Sequence, residues 1–209
     1  MPLYNELFSR SFCINLEKRK DRWERVQGEF RRMCITVERV EGVDGSIVEG
    51  CPGVLGKGEY GCLLGHINAL EAGVSSGADT FVIYEDDVIF NPMFHFLFER
   101  WYREIPGDWR VINFGVRNKM TPLVVGKHTR QLYRFWNAHA YAIKSAWAPE
   151  LIRLLKEEQG TVDSVLSTFS ATGGVYGFSE MLVWQGSGFS DNTGEESAGH
   201  DLNKIKNQW

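Results

Sequence analysis

Three consecutive acids, Glu85-Asp86-Asp87, follow directly on the apolar run Phe81-Val82-Ile83-Tyr84. Adjacent carboxylates repel one another, and burying them costs several kcal/mol unless a cation or hydrogen-bond donors compensate. Ligand sets made only of oxygen suit Mg²⁺ or Mn²⁺, ions that usually bridge a protein to a diphosphate. Residues two apart on an extended segment point to the same side, so Glu85 and Asp87 can face one ion together while Asp86 turns away. Taken alone, the cluster is equally well an acidic turn solvated at a strand end. A second charged group, Glu17-Lys18-Arg19-Lys20-Asp21-Arg22, is locally basic and suits a phosphate.

These groups need elements to hold them. The run after the loop-like Gly77-Ala78-Asp79 reads as a buried strand over residues 80–88, central in a parallel sheet. Ligands of open α/β sheets sit just beyond the carboxyl ends of strands, where the acids fall. A first strand is expected over 11–16, then a helix over 21–33 with Trp23, Val26, Phe30 and Met33 at spacings of three and four. Arg19 and Arg22 therefore follow a strand end and open a helix, where the helix dipole and bidentate guanidinium groups favour phosphate. A solvated helix start paired with Glu17 and Asp21 is the alternative. A second strand over 35–43 closes at the turn dipeptide Asp44-Gly45, and the Gly- and Pro-rich residues 50–58 form a loop. Helices follow over 59–74, with Leu63, Leu64, Ile67 and Leu70 on the apolar side, and over 92–105. A strand over 109–115, an extended stretch over 132–143, a helix over 145–158 capped by Ser145, a short helix over 161–169 and one or two strands over 174–185 complete the pattern. From Gly186 periodicity is lost, which reads as a flexible or ligand-ordered tail. Strand and helix alternate through the first 115 residues, the mark of an α/β fold with a nucleotide-binding front half.

The 209 residues suffice for one substantial core, and 43% hydrophobic with 24% charged residues is ordinary for a globular chain. A net charge of −4 argues against nucleic acid, whose phosphates need a basic surface. No stretch approaches the ~20 apolar residues of a membrane span, and no signal-peptide core opens the chain, so a cytoplasmic location is expected. Cys13, Cys34, Cys51 and Cys62 form no C-x-x-C pair and show no His at zinc-ligand spacing; reduced thiols are expected, with Cys13 and Cys62 acting as small hydrophobes. Neither G-x-G-x-x-G nor a Walker-type loop is present.

Four segments in fixed order carry a resemblance. Ile14-Asn15-Leu16 with Arg19, Asp21 and Arg22 resembles the opening I-N-L-x-x-R-x-D-R, and Val43-Asp44-Gly45 ends the second strand. Glu59-Tyr60-Gly61-Cys62-Leu63-Leu64-Gly65-His66 resembles the helix start G-E-x-G-C-x-x-S-H, with Gly65 in place of the usual Ser, and Glu85-Asp86-Asp87 resembles E-D-D. Together, over about residues 11–190, they resemble glycosyltransferase family 25, which holds lipooligosaccharide and collagen galactosyltransferases. The resemblance implies a single GT-A type domain over 1–190 with a tail over 191–209. It further implies a UDP-sugar donor (often UDP-galactose), Mn²⁺ or Mg²⁺, and inversion at the anomeric carbon. On it, Glu85 and Asp87 are the expected metal ligands, and Asn15, Arg19, Arg22, His66 and Asp86 the donor-side residues. Ala138-His139-Ala140-Tyr141-Ala142-Ile143 and Thr161-Val162-Asp163-Ser164-Val165-Leu166 resemble two further elements, which makes Asp163 the expected base toward the acceptor hydroxyl; a helix N-cap is its alternative role. The closing x-x-Q and S-D-I elements correspond to Val183-Trp184-Gln185 and Ser190-Asp191-Asn192, with Met181 near the place of a missing proline. His139 and His200 could complete a metal shell, and Trp136 and Trp184 could stack on sugar. The acceptor expected is a hydroxyl on a glycan, lipooligosaccharide or protein, reached without a transmembrane segment. A nucleotidyltransferase would show a glycine-rich basic loop where Glu17-Lys18-Arg19-Lys20 stands, and a non-catalytic carbohydrate-binding module of the same fold would keep the sheet without turnover.

Overall fold

The computed structural model describes residues 2–157, 160–191 and 194–199. In chain order the elements are α1 (Leu3–Leu7), β1 (Arg10–Asn15), α2 (Lys20–Arg32), β2 (Glu38–Glu41), α3 (Lys57–Ser75), β3 (Thr80–Glu85), β4 (Val88–Phe90), α4 (Phe94–Tyr102), β5 (Val111–Asn113), β6 (Arg117–Asn118), β7 (Leu123–Val124), β8 (Thr129–Gln131), β9 (Phe135–Trp136), β10 (Ala140–Lys144), α5 (Ala148–Glu157), α6 (Val162–Ser170), β11 (Val175–Phe178), β12 (Val183–Gln185), β13 (Gly188–Ser190) and β14 (Glu195–Ser197). Among the described residues eight strands make one sheet in the order β2-β1-β3-β10-β5-β11-β8-β7. Strand alternation sorts the core. Phe81 and Ile83 of β3, with Tyr141 and Ile143 of β10, pack toward α3, α5 and α6. Val82 and Tyr84, with Ala140 and Ala142, pack toward α1, α2 and α4. The result is a three-layer α/β/α arrangement, the class that the alternating pattern predicts.

Four sequence expectations change here. The strand over 80–88 stops at Glu85, Asp86 and Asp87 form a turn, and Val88–Phe90 runs on as β4, paired antiparallel with β12. Strand β3 is also not flanked by parallel neighbours on both sides. It lies parallel to β1, but β10 inserts antiparallel between β3 and β5, so the sheet is mixed. Ser145 is not a helix cap: it opens a 3₁₀ turn, Ser145–Trp147, and its hydroxyl donates to the carbonyl of Ala78. The tail expected from Gly186 contains the paired strands β13 and β14, while Asn192 and residues 201–209 lie outside the described residues.

Glycines of the quoted segments fix how α3 approaches the sheet edge. A Cβ on Gly61 would stand 2.4 Å from the Val43 carbonyl, and one on Gly45 would stand 1.7 Å from the Lys57 carbonyl. Backbone meets backbone there, so only glycine fits at either position. Gly73 is a third close approach, with Phe81 ring atoms 2.2 Å from where its Cβ would be. Glu59 accepts from the Gly56 N–H at 2.8 Å, one half of a capping box at the start of α3.

The helical glycines give a paired test. Ala relieves a helix-interior glycine by about 0.8–1.0 kcal/mol, whereas overpacking a core costs about 1–3 kcal/mol. We expect Gly73→Ala to lower stability by roughly 1–2 kcal/mol, because Phe81 is fully buried and cannot yield. Gly28→Ala, with nothing within 4 Å of the new Cβ, should raise stability by up to about 1 kcal/mol. Urea midpoints for the two variants, measured side by side, check both signs.

Candidate active site

Parallel pairing sets Ile14 opposite Glu85, so β1 and β3 deliver Asn15 and the acids to the same carboxyl edge of the sheet. The pleat then separates the acids. Glu85 keeps the parity of Phe81 and Ile83 and points toward α3, where His66 Nε2 stands 3.3 Å from its Oε1. Gln185, at the end of β12, brings Nε2 to 3.5 Å from Glu85 Oε2. Asp86 turns to the α2 face, where it accepts from Arg22 at 2.6 Å and from Asn15 at 2.7 Å. Asp87 lies beyond the strand, so the period of two that would set it beside Glu85 does not reach it. Its Oδ2 stands 3.7 Å from the Arg22 guanidinium, and its Oδ1 is buried without a hydrogen-bond partner among the described residues.

The three carboxyls differ accordingly. Burial acts against the charge of Glu85, but the hydrogen bond and charge of His66, with His139 and Arg22 nearby, hold its pKa below the usual carboxylate value. Burial lifts Asp86 above that value in spite of Arg22 and Asn15. For Asp87, burial and the charge of Glu85 together push the pKa up to about 7, with Arg22 a partial counterweight. An orphaned buried oxygen on an acid of this kind is the place where a hard cation fits. Asp87 and Glu85 are therefore the residues able to hold the divalent metal that the E-D-D segment implies.

Asn15 is held inside the protein. It is 1% exposed, donates to Asp86 and to the Arg19 carbonyl, and accepts from Arg39 at 2.9 Å, so its amide braces the acids and has no free face for a nucleotide. Arg19, the residue before α2, pairs with Asp21 and Asp191 and donates to the Phe189 carbonyl; Arg22 donates to that same carbonyl at 3.2 Å. Strand β13 thus lies over both arginines. His66 is fully buried, with Nδ1 3.2 Å from the Tyr141 hydroxyl and Nε2 on Glu85, which joins it to the acids rather than to an open donor pocket. His139 is also fully buried; its Nε2 donates to the Val183 carbonyl at 3.0 Å, so that nitrogen is not a metal ligand. His200 lies outside the described residues.

A cleft of about 570 Å³ brings Glu85, Asp163, Cys62, Asn137, Trp136 and Gln185 to one wall-to-wall space. Asp163 sits in the first turn of α6, one residue past the start, and accepts from the Thr161 hydroxyl at 2.5 Å; the cap position belongs to Thr161. Trp136 is 47% exposed in the cleft, whereas Trp184 is half-buried outside its lining. A second cleft, of about 470 Å³, lies at the carboxyl ends of β1 and β2, among Leu16, Lys18, Gly42, Asp44 and Asn68. Sequence reasoning missed Asn137, which holds φ +81°, donates to Gln185 at 2.7 Å and has a buried, unpartnered Oδ1 among the described residues. Asn tolerates that left-handed conformation best among residues with a side chain, but nothing in the linear pattern marks it. Cys62 packs against the apolar core as expected, but it also borders the cleft beside Glu85 and His66, which the sequence reading did not show. Gly65, in place of the family's Ser, packs its Cα against Ile14, and an added Cβ would come to 3.0 Å from Ile14 Cγ2.

Comparison with known proteins follows the same lines. Residues 8–166 match the family described as glycosyltransferase family 25 (LPS biosynthesis protein). A human protein named inactive glycosyltransferase 25 family member 3 is 30% identical over 177 residues, covering 69% of this chain and 29% of its own length. Mouse procollagen galactosyltransferase 2 is 28% identical over 173 residues, covering 69% of this chain and 27% of its own. The chain thus spans less than a third of the length of these relatives. A solved glycosyltransferase involved in glycosylation of the major capsid of PBCV-1 aligns at 9% identity with TM-score 0.41, over 71% of this chain and 67% of its own. With a family match across most of its length and an α/β sheet carrying the family's segments at one edge, the chain belongs to glycosyltransferase family 25.

Proposed function

We propose that this chain is a metal-dependent, inverting glycosyltransferase that moves a hexose, galactose first among them, from a UDP-sugar to a hydroxyl acceptor. The observation that carries the reading is the shared space of Glu85 and Asp163, two carboxylates on opposite elements of one cleft, with the orphaned Asp87 oxygen at the strand end. Procollagen galactosyltransferases among the relatives favour galactose and a hydroxyl acceptor.

The residues divide the work. The cleft at the ends of β1 and β2 is polar on the side of Lys18 and Asp44, apolar on that of Leu16 and Ile47, and of a size for a nucleoside. Arg19 and Arg22 stand where a diphosphate would leave that cleft, and they bind it by exchanging the Phe189 carbonyl and the Asp191 carboxylate for phosphate oxygens. Glu85 and Asp87 would hold the divalent cation, whose contribution would be Lewis-acid neutralisation of charge on a departing diphosphate. Asp163 takes the proton from the acceptor hydroxyl on the cleft side, while the Thr161 hydroxyl fixes its rotamer. Trp136 offers an exposed ring for the acceptor sugar. The acceptor itself, and a setting in lipopolysaccharide synthesis or on protein, rest on the family description and on the relatives.

Three outcomes follow. Asp87→Asn should reduce UDP release from the preferred UDP-sugar by roughly 10²–10³-fold, as should EDTA on the unmodified protein, with EDTA reversed by Mn²⁺. Mn²⁺-independent release at the unmodified rate would sink the metal assignment, and donor binding without any release would favour a non-catalytic module. Asp163→Asn should lower acceptor-dependent transfer by about 10²–10⁴-fold with donor affinity unchanged in a binding titration. Asp87 also makes a stability signature in the metal-free chain. Its folded pKa of about 7 lies above the unfolded value of 3.8, so its contribution is present below about pH 4 and lost as pH rises through 7. Buried, neutral His139 acts in the opposite sense over the same window, but equally in wild type and variant. We expect Asp87→Asn to be more stable than wild type at pH 8 by about 1–3 kcal/mol, with the advantage shrinking as pH falls below 7 and gone by about pH 4, in urea melts with EDTA.

A further inference from the structure

Helix α3 carries Cys62 and His66 one turn apart, so both side chains leave the same face of the helix. Cys62 Sγ, a ring nitrogen of His66 and a carboxylate oxygen of Glu85 all lie within 4.8 Å of one another. Around a tetrahedral ion, a sulfur at ~2.3 Å and nitrogen or oxygen at ~2.0 Å stand roughly 3.3–3.6 Å apart. His66 Nε2 and Glu85 Oε1 are already at 3.3 Å, so closing the set asks only for a small shift of the thiol. The other His66 nitrogen faces the Tyr141 hydroxyl at 3.2 Å, the outer contact that fixes the ring and tautomer of a metal-ligating histidine. Cys62 and Glu85 border the open cleft, which leaves a fourth position to water or ligand. One residue each of sulfur, imidazole and carboxylate selects a borderline-soft cation over Mn²⁺ or Mg²⁺.

We propose that Cys62, His66 and Glu85 form a second metal site, for a divalent cation of the zinc type, sharing Glu85 with the oxygen site at Asp87. As the ion enters, the Cys62 S–H bond gives its proton to solvent and the sulfur bonds the metal. His66 binds through Nε2 with its Nδ1 proton turned to the Tyr141 oxygen, and Glu85 contributes one oxygen. Occupancy withdraws Glu85 from the Asp87 site, so zinc opposes manganese. Only that antagonism rests on the transferase reading; the site itself does not.

Co²⁺ is the probe, titrated into the metal-free full chain without donor or acceptor. We expect a sulfur-to-cobalt charge-transfer band in the near ultraviolet that is absent in Cys62→Ser and retained in Cys34→Ser and Asp87→Asn. Tyr141→Phe should weaken Co²⁺ binding by roughly 10–100-fold while keeping the band at saturation. No band, or a band that survives Cys62→Ser, overturns the site, and loss of the band in Asp87→Asn overturns its separateness. Should Cys62→Ser fail to fold, the unmodified chain decides: Zn²⁺ should slow alkylation of Cys62 at least 10-fold, with exposed Cys34 unaffected, and an unchanged Cys62 rate overturns the proposal. Because no sugar nucleotide takes part, failure here leaves the transferase tests standing, and failure of those leaves this one standing.

Discussion

Three carboxyls in a row at a sheet edge are an electrostatic conflict that the rest of the molecule resolves one acid at a time. Like charges in low dielectric cannot all stay ionised without partners. Glu85 receives His66 from α3, and Asp86 receives Arg22 from α2 and Asn15 from β1. Asp87 receives a distant share of Arg22 and the field of Arg25, and one of its oxygens receives nothing among the described residues. Two of the charges are thus answered by the protein, while the third is left for a proton or a metal. Helices on both sides of the sheet are needed for this division, since a strand end alone offers one face to each acid in turn.

Close backbone approaches hold those helices to the needed distance. The mutual fit of Gly45 and Gly61 sets the start of α3 against the turn after β2, which in turn sets His66 opposite Glu85. The glycines of the two segments are packing requirements first. Chemistry enters through the residues they allow to meet. On the far side, Gly115 leaves room for the Val183 carbonyl and for His139, whose ring would otherwise collide with a side chain there. That gap lets β12 bring Gln185 alongside Glu85.

Much of this was legible in the chain because it is local. Short continuous apolar runs placed β1 and β3, the three- and four-residue spacings placed α2 and α3, and the run of acids placed the site. Asp163 came from the resemblance rather than from any local pattern, and it does border the same cleft as Glu85. What escaped is long-range. The insertion of β10 between β3 and β5 depends on pairing partners more than fifty residues from β3, and a short apolar strand looks the same in either direction. The sheet-edge turn at Asp86 and Asp87 was hidden because Val88 and Phe90 continue the apolar pattern into β4. Asn15 was expected on the donor side from the resemblance alone; its burial against Arg39 and Asp86 makes it a brace. Cys62 was read as a small hydrophobe from its apolar neighbours, which holds, while its nearness to Glu85 stayed hidden because Glu85 is remote in sequence.

Glu85 is where these threads cross. Its carboxylate has one oxygen near His66 and the other near Gln185, and it borders both the thiol of Cys62 and the field that raises Asp87. The two oxygens of such a group answer different neighbours. Asp87 is not one of the three clustered ligands, and one of its oxygens has no partner among the described residues. The asymmetry explains why the two acids, though two residues apart, are not equivalent. Asp87 is the acid left short of partners, and Glu85 is the one shared among His66, Gln185 and Cys62.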